Sequence, residues 1–366
     1  MKRFLVAAIA ALAPVWAMSQ IVIGQTAGFT GTAASGVKEI TEGAKLWIDA
    51  VNAKGGVHGQ KIELISMDDK FDPGLAAANA RQLIVEKNVV ALFLIRGTPH
   101  AEAILPLLEQ HGLALIAPST GAMVLHQPVR KHVFNVRAPY QREAEKAVTH
   151  MRALGIERIA VVYADDSFGE DGLEGASKGF YRAGISPAVA IKADRARPDY
   201  KAIVQGIEKS NAQAVVWIAS GTTVVEGIKT LRTALPGLQV VTLSNNASAG
   251  FVKGLGPAGV GVMVTQVFPS ERAVAYGMVR DATALAKEKK LELSPAMLEG
   301  YAGARVMVEA LRRAGPNPTR AKVLAAAEGL QKFDLGGFEI GFGPDDHTGM
   351  EYSELSIIGS DGKFKR

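Results

Sequence analysis

Short apolar runs alternate with longer amphipathic stretches along nearly the whole chain. IVIGQ, KIELISM, VVALFLI and LALIAPS form a first set of four, separated by helical patterns near residues 37–53, 74–87 and 99–110. VFNV then leads past Arg137, Ala138, Pro139 and Tyr140 into another helix, and the pattern restarts with IERIAVVYA, SPAVAIKA, AQAVVWIAS and LQVVTLS. Near-continuous Val/Ile/Leu runs without in–out alternation suit strands covered on both faces of a parallel sheet. The strand–helix alternation implies right-handed crossovers and an open α/β fold.

The two sets superpose as a faint repeat. Pro73 corresponds to Pro198, Gly97-Thr98 to Gly221-Thr222, and Pro118-Ser119 to Leu243-Ser244, at offsets of 125, 124 and 125. DDKF at 68–71 and DDSF at 165–168 look alike but follow different strands of their sets, so that likeness is attributed to chance. After GVGVMVTQVFPS come three helical segments, 271–289, 295–314 and 319–331, punctuated by Pro295, Pro316 and Pro318. Two more strands, GGFEIGF and YSELSIIG, and a short basic tail close the chain. Helices that arrive after both sheets are built must cover an earlier sheet. The expectation is therefore two similar lobes, a cleft between them, and a chain that crosses more than once.

Both third strands stop at Gly-Thr before a helix. In open parallel sheets, ligands bind beyond the carboxyl ends of the strands, where the next helix presents unpaired N–H groups. Gly97 and Gly221 permit tight turns and close backbone approach. Thr98 and Thr222 either cap their helices or aim a hydroxyl at a ligand. Ser119-Thr120-Gly121 and Ser244-Asn245-Asn246 end the next strands and face the same cleft in this reading. Arg96, at the end of an apolar strand, has two readings: a cleft guanidinium for a carboxylate, or a strand-end residue leaning into solvent or paired with Asp68 or Asp69.

The first 19 residues carry Lys2 and Arg3, an apolar run from Phe4 to Trp16, and small residues at Ala17 and Ser19. That is the layout of a cleaved secretory leader, and the run is too short for a membrane span of roughly 20 residues. The remainder has a formal charge of +3 and no basic run, which gives no support for nucleic-acid binding. Zero cysteines in an exported chain exclude disulfides and thiolate metal sites. Catalytic patterns fail on context. The G-x-S-x-G at 175–179 lies within a helical stretch, and the G-x-G-x-x-G at 254–259 precedes a strand. The seven histidines are scattered without metal-ligand spacing. The reading is a non-enzyme without cofactor or metal.

IVIGQTAGFTG, VNAKGGVHGQKIEL, DDKFDP, GLALIAPSTGA, RIAVVYADDSFGEDGLEG and LEGYAGARVMVEALRRAG, in that order, resemble the type I periplasmic solute-binding proteins of the branched-chain amino-acid (Leu/Ile/Val) transporter class. The resemblance spans nearly all of the chain after the leader. It implies two Rossmann-like lobes with parallel sheets joined by three crossovers: residues 20–138 with 269–347, and 139–268 with 348–366. It also implies periplasmic location, a monomer, capture of a small amino acid or other carboxylate-bearing solute, and delivery to an ABC permease and ATPase. A ligand-sensing module of the same fold serving a signalling partner is the alternative, and a hydrolase is the third class.

By the resemblance, Gly97-Thr98-Pro99 and Ser119-Thr120-Gly121 match the loops that hold an amino acid's α-carboxylate and amine, and Phe168 matches the aromatic that closes over it. Two positions depart. Where an acid usually pairs with the ligand amine, this chain has Asn245 and Asn246, and Gly221-Thr222 replaces an aromatic. A buried ammonium needs a charged partner, so these departures weigh against an α-amino acid. Tyr140 beside the hinge either reaches the cleft or packs, and Tyr301 matches a family position on a cleft-lining helix, although its helical spacing favours core packing.

Overall fold

The computed structural model describes residues 20–366, so the leader assigned to residues 1–19 lies outside the described residues. The first part of the chain runs β1 (Ile21–Ala27), α1 (Ala34–Ala53), β2 (Ile62–Asp68), α2 (Pro73–Val85), β3 (Ala91–Phe93), α3 (Thr98–His111), β4 (Ala114–Ile116) and β5 (Val133–Phe134). The second comprises α4 (Tyr140–Ala153), β6 (Ile159–Ala164), α5 (Ser167–Ala183), β7 (Val189–Ala193), α6 (Tyr200–Lys209), β8 (Ala214–Ile218), α7 (Thr222–Ala234), β9 (Gln239–Thr242), α8 (Ala249–Leu255) and β10 (Met263–Gln266). Then follow α9 (Gly277–Glu288), α10 (Pro295–Ala314), α11 (Arg320–Glu328), β11 (Phe333–Asp334), β12 (Glu339–Ile340), β13 (Glu354–Ile358) and β14 (Phe364–Lys365).

The first sheet has the order β2-β1-β3-β4-β5 and is parallel throughout. The second repeats that order as β7-β6-β8-β9-β10, then adds β13 and β14 antiparallel beyond β10. The faint sequence repeat is thus a repeat of topology. The closing strands differ from the expectation of parallel sheets alone. β14 follows β13 by a short turn, as antiparallel pairing permits, whereas β13 meets β10 only after the chain's passage through the first lobe. GGFEIGF contributes only Glu339–Ile340, to a two-stranded ribbon with β11. The helix expected from 271 begins at Gly277, because residues 270–276 turn on Ala273 N–H to Ser270 O and Tyr276 N–H to Ala273 O.

Each sheet is sandwiched between helices. The first has α1, α9, α10 and α11 residues packed in one apolar cluster and α2 with α3 in another. In the second, α4 and α5 fill one side, and α6, α7 and α8 the other. The late helices do cover the first sheet, so the chain crosses between lobes after β5, after β10 and after β12. The first and third crossings run side by side, with Asn135 N–H donating to His347 O (2.9 Å) and Gly349 N–H to Asn135 O (2.7 Å).

A charged network is buried at the first crossing. Arg137 donates through Nη2 to Glu143 Oε1 and to Ser244 Oγ (2.7 Å). Glu143 Oε2 accepts from Thr265 Oγ1 and from the Ser244 amide (2.9 Å). Glu299 on α10 lies 3.7 Å from Arg137 Nη1. Arg137 and Glu143 are fully buried. Burial opposes the guanidinium's charge, but Tyr140, Glu143 and Glu299 outweigh it and hold the pKa above its ordinary value.

Removing one partner of such a pair leaves an unpaired buried charge. Glu143→Ala is therefore expected to destabilise the protein by about 3–5 kcal/mol in urea unfolding. The double variant Arg137→Met/Glu143→Leu is expected to lose less than the single, and an additive loss would contradict the pairing.

Candidate functional site

The two Gly-Thr strand ends are turned by their glycines. Gly97 (φ 102°) and Gly221 (φ 61°) are the N-cap residues of α3 and α7, both in the left-handed range that glycine alone enters freely. Thr98 and Thr222 are the first helical residues and not N-caps, so of their two readings side-chain capping falls away. Thr98 Oγ1 pairs with Thr120 Oγ1 at 2.8 Å. At Gly221 the lobes touch, with the Thr222 amide donating to Thr32 O (3.1 Å) and a Cβ on Gly221 falling 1.9 Å from that oxygen.

Between the strand ends lies a small, largely enclosed pocket. From the first lobe it is lined by Phe71, Arg96, Gly97, Thr98 and Pro99. The other wall is Tyr140, Phe168, Arg195, Ser220 and Asn245. Arg96 is 4% exposed and reaches across the cleft, donating through Nη1 to Ser119 Oγ (2.9 Å) and through Nη2 to the Asn245 carbonyl (2.6 Å). It does not lean into solvent or pair with the two aspartates of the strand-two turn. Asp68 accepts from Thr30 and the Lys70 amide, and Asp69 from Thr26 and the Phe71 amide.

Of the other expected residues, Ser119 links Arg96 to Glu299 through a 2.7 Å bond to Oε1. Thr120 backs Thr98. Gly121 supports the hinge: its carbonyl accepts from the Tyr140 amide (2.7 Å), and a Cβ there would lie 2.6 Å from Ala138 O. Tyr140 sits on the Arg137 guanidinium (4.4 Å) and meets Phe168 edge-on at 4.8 Å. Asn246 braces the Gly221 turn through its Oδ1 (2.8 Å) and lies outside the cavity lining. Tyr301 is a core residue packed edge-on against Trp47.

Phe71, Arg195 and Ser220 were not anticipated. Phe71 and Lys70 both have positive φ (61° and 54°), a strained turn stabilised by Asp68 and Asp69 accepting their amides. Arg195 comes from the turn after β7. Its Nη1 donates to Asp166 (2.6 Å), and its guanidinium lies 4.4 Å from the Phe71 ring centroid across the cleft. His100 stacks on Phe71 at 4.7 Å, and its pKa is lowered to about 4 by burial and then by Arg195. The cavity wall therefore carries two guanidiniums and no carboxylate, while Glu143 and Glu299 stand behind it.

Further contacts join the lobes outside the cavity. Glu39 on α1 accepts from the Ala249 amide (2.9 Å), the Gly250 amide (2.7 Å) and Ser294 Oγ (2.7 Å). Ser167 donates to Glu102, and the Met123 amide to Asp171 (3.0 Å). The lobes are shut on one another, with a small polar and aromatic chamber at the strand ends.

Residues 20–363 match the model of a family described as periplasmic binding protein. The chain belongs to that family. Its sequence relatives place it with the type I, branched-chain amino-acid-binding members. It is 25% identical to the Leu/Ile/Val/Thr-binding protein of Salmonella typhimurium over 341 residues, 87% of this chain and 89% of that one. An amino acid binding protein of Pseudomonas aeruginosa aligns over a shorter stretch, 24% identical over 203 residues and 54% of each chain. A possible leucine/isoleucine/valine-binding protein of Rhodopirellula baltica superposes with a TM-score of 0.89 at 25% identity, covering 97% of this chain and 98% of that one. Two more distant structures share the fold equally, each with a TM-score of 0.84 at 17% identity and 95% coverage of both chains. One is a branched-chain amino-acid transporter protein of Thermus thermophilus with bound valine, the other a solute-binding protein of R. palustris with benzoate. Members of the family are solute-binding proteins.

Glu39 holds the two lobes together without lining the cavity. Glu39→Gln is expected to enlarge the ligand-free protein's radius of gyration in small-angle X-ray scattering. It should also weaken chemically different ligands by one common factor, roughly tenfold, because apparent affinity scales with the closed fraction. A separate expectation concerns pH. The folded-state pKa of His100 lies below its ordinary 6.5, so its contribution to stability is full above about pH 6.5 and is lost as pH falls toward about 4. His100→Phe should flatten that part of the melting-temperature profile, read by calorimetry.

Proposed function

We propose that this protein is the extracytoplasmic receptor of an ABC importer. It captures a small carboxylate-bearing solute between its lobes and delivers it, as a periplasmic monomer, to a membrane permease driven by an ATPase. The division of the chain into 20–138 with 269–347 and 139–268 with 348–366 makes the three crossings the pivot of lobe closure. Binding is non-catalytic, and the cleft acts by enclosing its ligand.

The observation that carries the carboxylate reading is Arg96. Its guanidinium stands in the closed cleft with two donors engaged by neutral oxygens and no carboxylate in direct contact. A ligand carboxylate supplies the missing charge through short, charge-assisted hydrogen bonds. An amino acid fits less well, because its ammonium would face Arg96 and Arg195 while every lining residue of the opposite wall is neutral or basic. The family's valine- and benzoate-bound members are equally similar to this chain, so the likeness of fold does not choose between the two ligand types.

The test is a thermal-shift screen of protein that has been denatured and refolded to strip any carried solute. The panel holds Leu, Ile and Val beside aliphatic and aromatic carboxylates without an amine. A ligand at 1,000 times its dissociation constant stabilises by about 4 kcal/mol, a clear shift in melting temperature. The amine-free acids are expected to shift the protein, and Arg96→Leu to weaken them by roughly 10–100-fold, the worth of a hydrogen bond to a charged group. A shift by the branched-chain amino acids alone would overturn the preference for amine-free acids and leave the receptor role standing.

A further inference from the structure

Asn245 and Asn246 occupy the place where an acid was expected, yet their side chains are not equivalent. Asn246 is fully engaged: Oδ1 accepts from the Gly221 amide, and Nδ2 donates to Ala219 O (3.0 Å) and Thr242 Oγ1 (2.8 Å). Asn245 is engaged on one side only. Its Nδ2 donates to Ala219 O (3.1 Å) and Ser220 Oγ (3.0 Å). A backbone carbonyl can only accept, so this contact fixes which amide atom is nitrogen. Oδ1 is then an acceptor, and it is buried with no donor. Among the described residues that line the cavity, it is the side-chain oxygen left in this state.

A buried acceptor without a donor is costly, and a ligand's N–H or O–H can remove that cost. The neighbours decide which. The backbone carbonyl of Asn245 already takes Arg96 Nη2 at 2.6 Å, so the residue that offers Oδ1 is itself in contact with the guanidinium. An ammonium there brings a positive charge beside Arg96 with only a neutral amide to receive it. A hydroxyl brings no charge, and Arg96 binds a carboxylate on the adjoining carbon.

We propose that the ligand is a small 2-hydroxy carboxylate, with its carboxylate on Arg96 and its hydroxyl donating to Asn245 Oδ1. Phe71, Tyr140 and Phe168, which line the pocket, receive the apolar remainder. This rests on the carboxylate reading above and narrows it. Asn245 is then the residue that separates hydroxy acids from their amino and unsubstituted analogues.

Two matched sets test it by isothermal titration of the refolded wild type: 2-hydroxyisovalerate, isovalerate and valine, and mandelate, phenylacetate and phenylglycine. Within a set the members differ at one substituent. The hydroxy acid of at least one set is expected to bind tenfold or more tighter than both of its partners. In Asn245→Ala the ratio of hydroxylated to unsubstituted acid should fall to about one. Equal wild-type binding of the hydroxylated and unsubstituted acids overturns the assignment of Asn245 and leaves the carboxylate reading standing. So does an Asn245→Ala variant that keeps the ratio. Preference for the amines, or binding of none of the six, overturns the hydroxy-acid assignment together with the preference for amine-free acids.

Discussion

A guanidinium cannot be enclosed between two lobes unless something of opposite charge or strong polarity meets it. This protein encloses Arg96 and Arg137 there, and most of the site follows from how they are satisfied. Arg137 takes Glu143 directly, and Glu299 serves both arginines, at 3.7 Å from Arg137 and through Ser119 to Arg96. Both acids approach from behind the wall, on α4 and α10. The consequence is a chamber whose surface is basic although the whole charged group is formally neutral. The same network places the aromatic side of the cleft, since Tyr140 rests on Arg137 and Phe168 meets Tyr140 edge-on.

What the sequence disclosed is what local pattern governs. The doubly covered strands, the repeat and the late helices followed from apolar runs and their spacing, and the two sheets share one strand order. The Gly-Thr strand ends, Arg96, Tyr140 and Asn245 were legible because they stand at strand or helix ends, where open α/β sheets present their loops, and Phe168 was named through the resemblance alone. Phe71 was hidden because it enters the cleft only through two non-glycine residues with positive φ, a conformation propensity argues against. Arg195 was hidden for another reason: it meets Phe71 across the gap, and no periodicity within one lobe reports a contact made by the other. On α10 the resemblance drew attention to Tyr301, which is core, while Glu299, two positions earlier, holds Ser119.

Closure depends on backbone approach as much as on side chains. Gly221 lies so near Thr32 that a single carbon would separate the lobes, and a Cβ on Gly250 would meet Ser35 at 2.6 Å while its amide reaches Glu39. These contacts belong to the frame rather than the ligand. They allow the ligand-facing residues to vary without loss of the closed geometry, which is how one fold serves unlike solutes.

That separation explains why a single position can carry so much of the specificity. An acid after β9 would place a negative charge in the chamber and require a cation from the ligand, because neither could be left unpaired in a closed space. Asparagine donates through Nδ2 to Ala219 O, which a carboxylate could not do, and to Ser220 Oγ, and its backbone carbonyl still meets Arg96. It removes the charge and adds a donor. The balance of the chamber then shifts from a zwitterion toward an anion, and the amide oxygen that remains asks for a neutral donor. Fold, closure and charge network are unchanged by that exchange, and the chemistry of the guest is not.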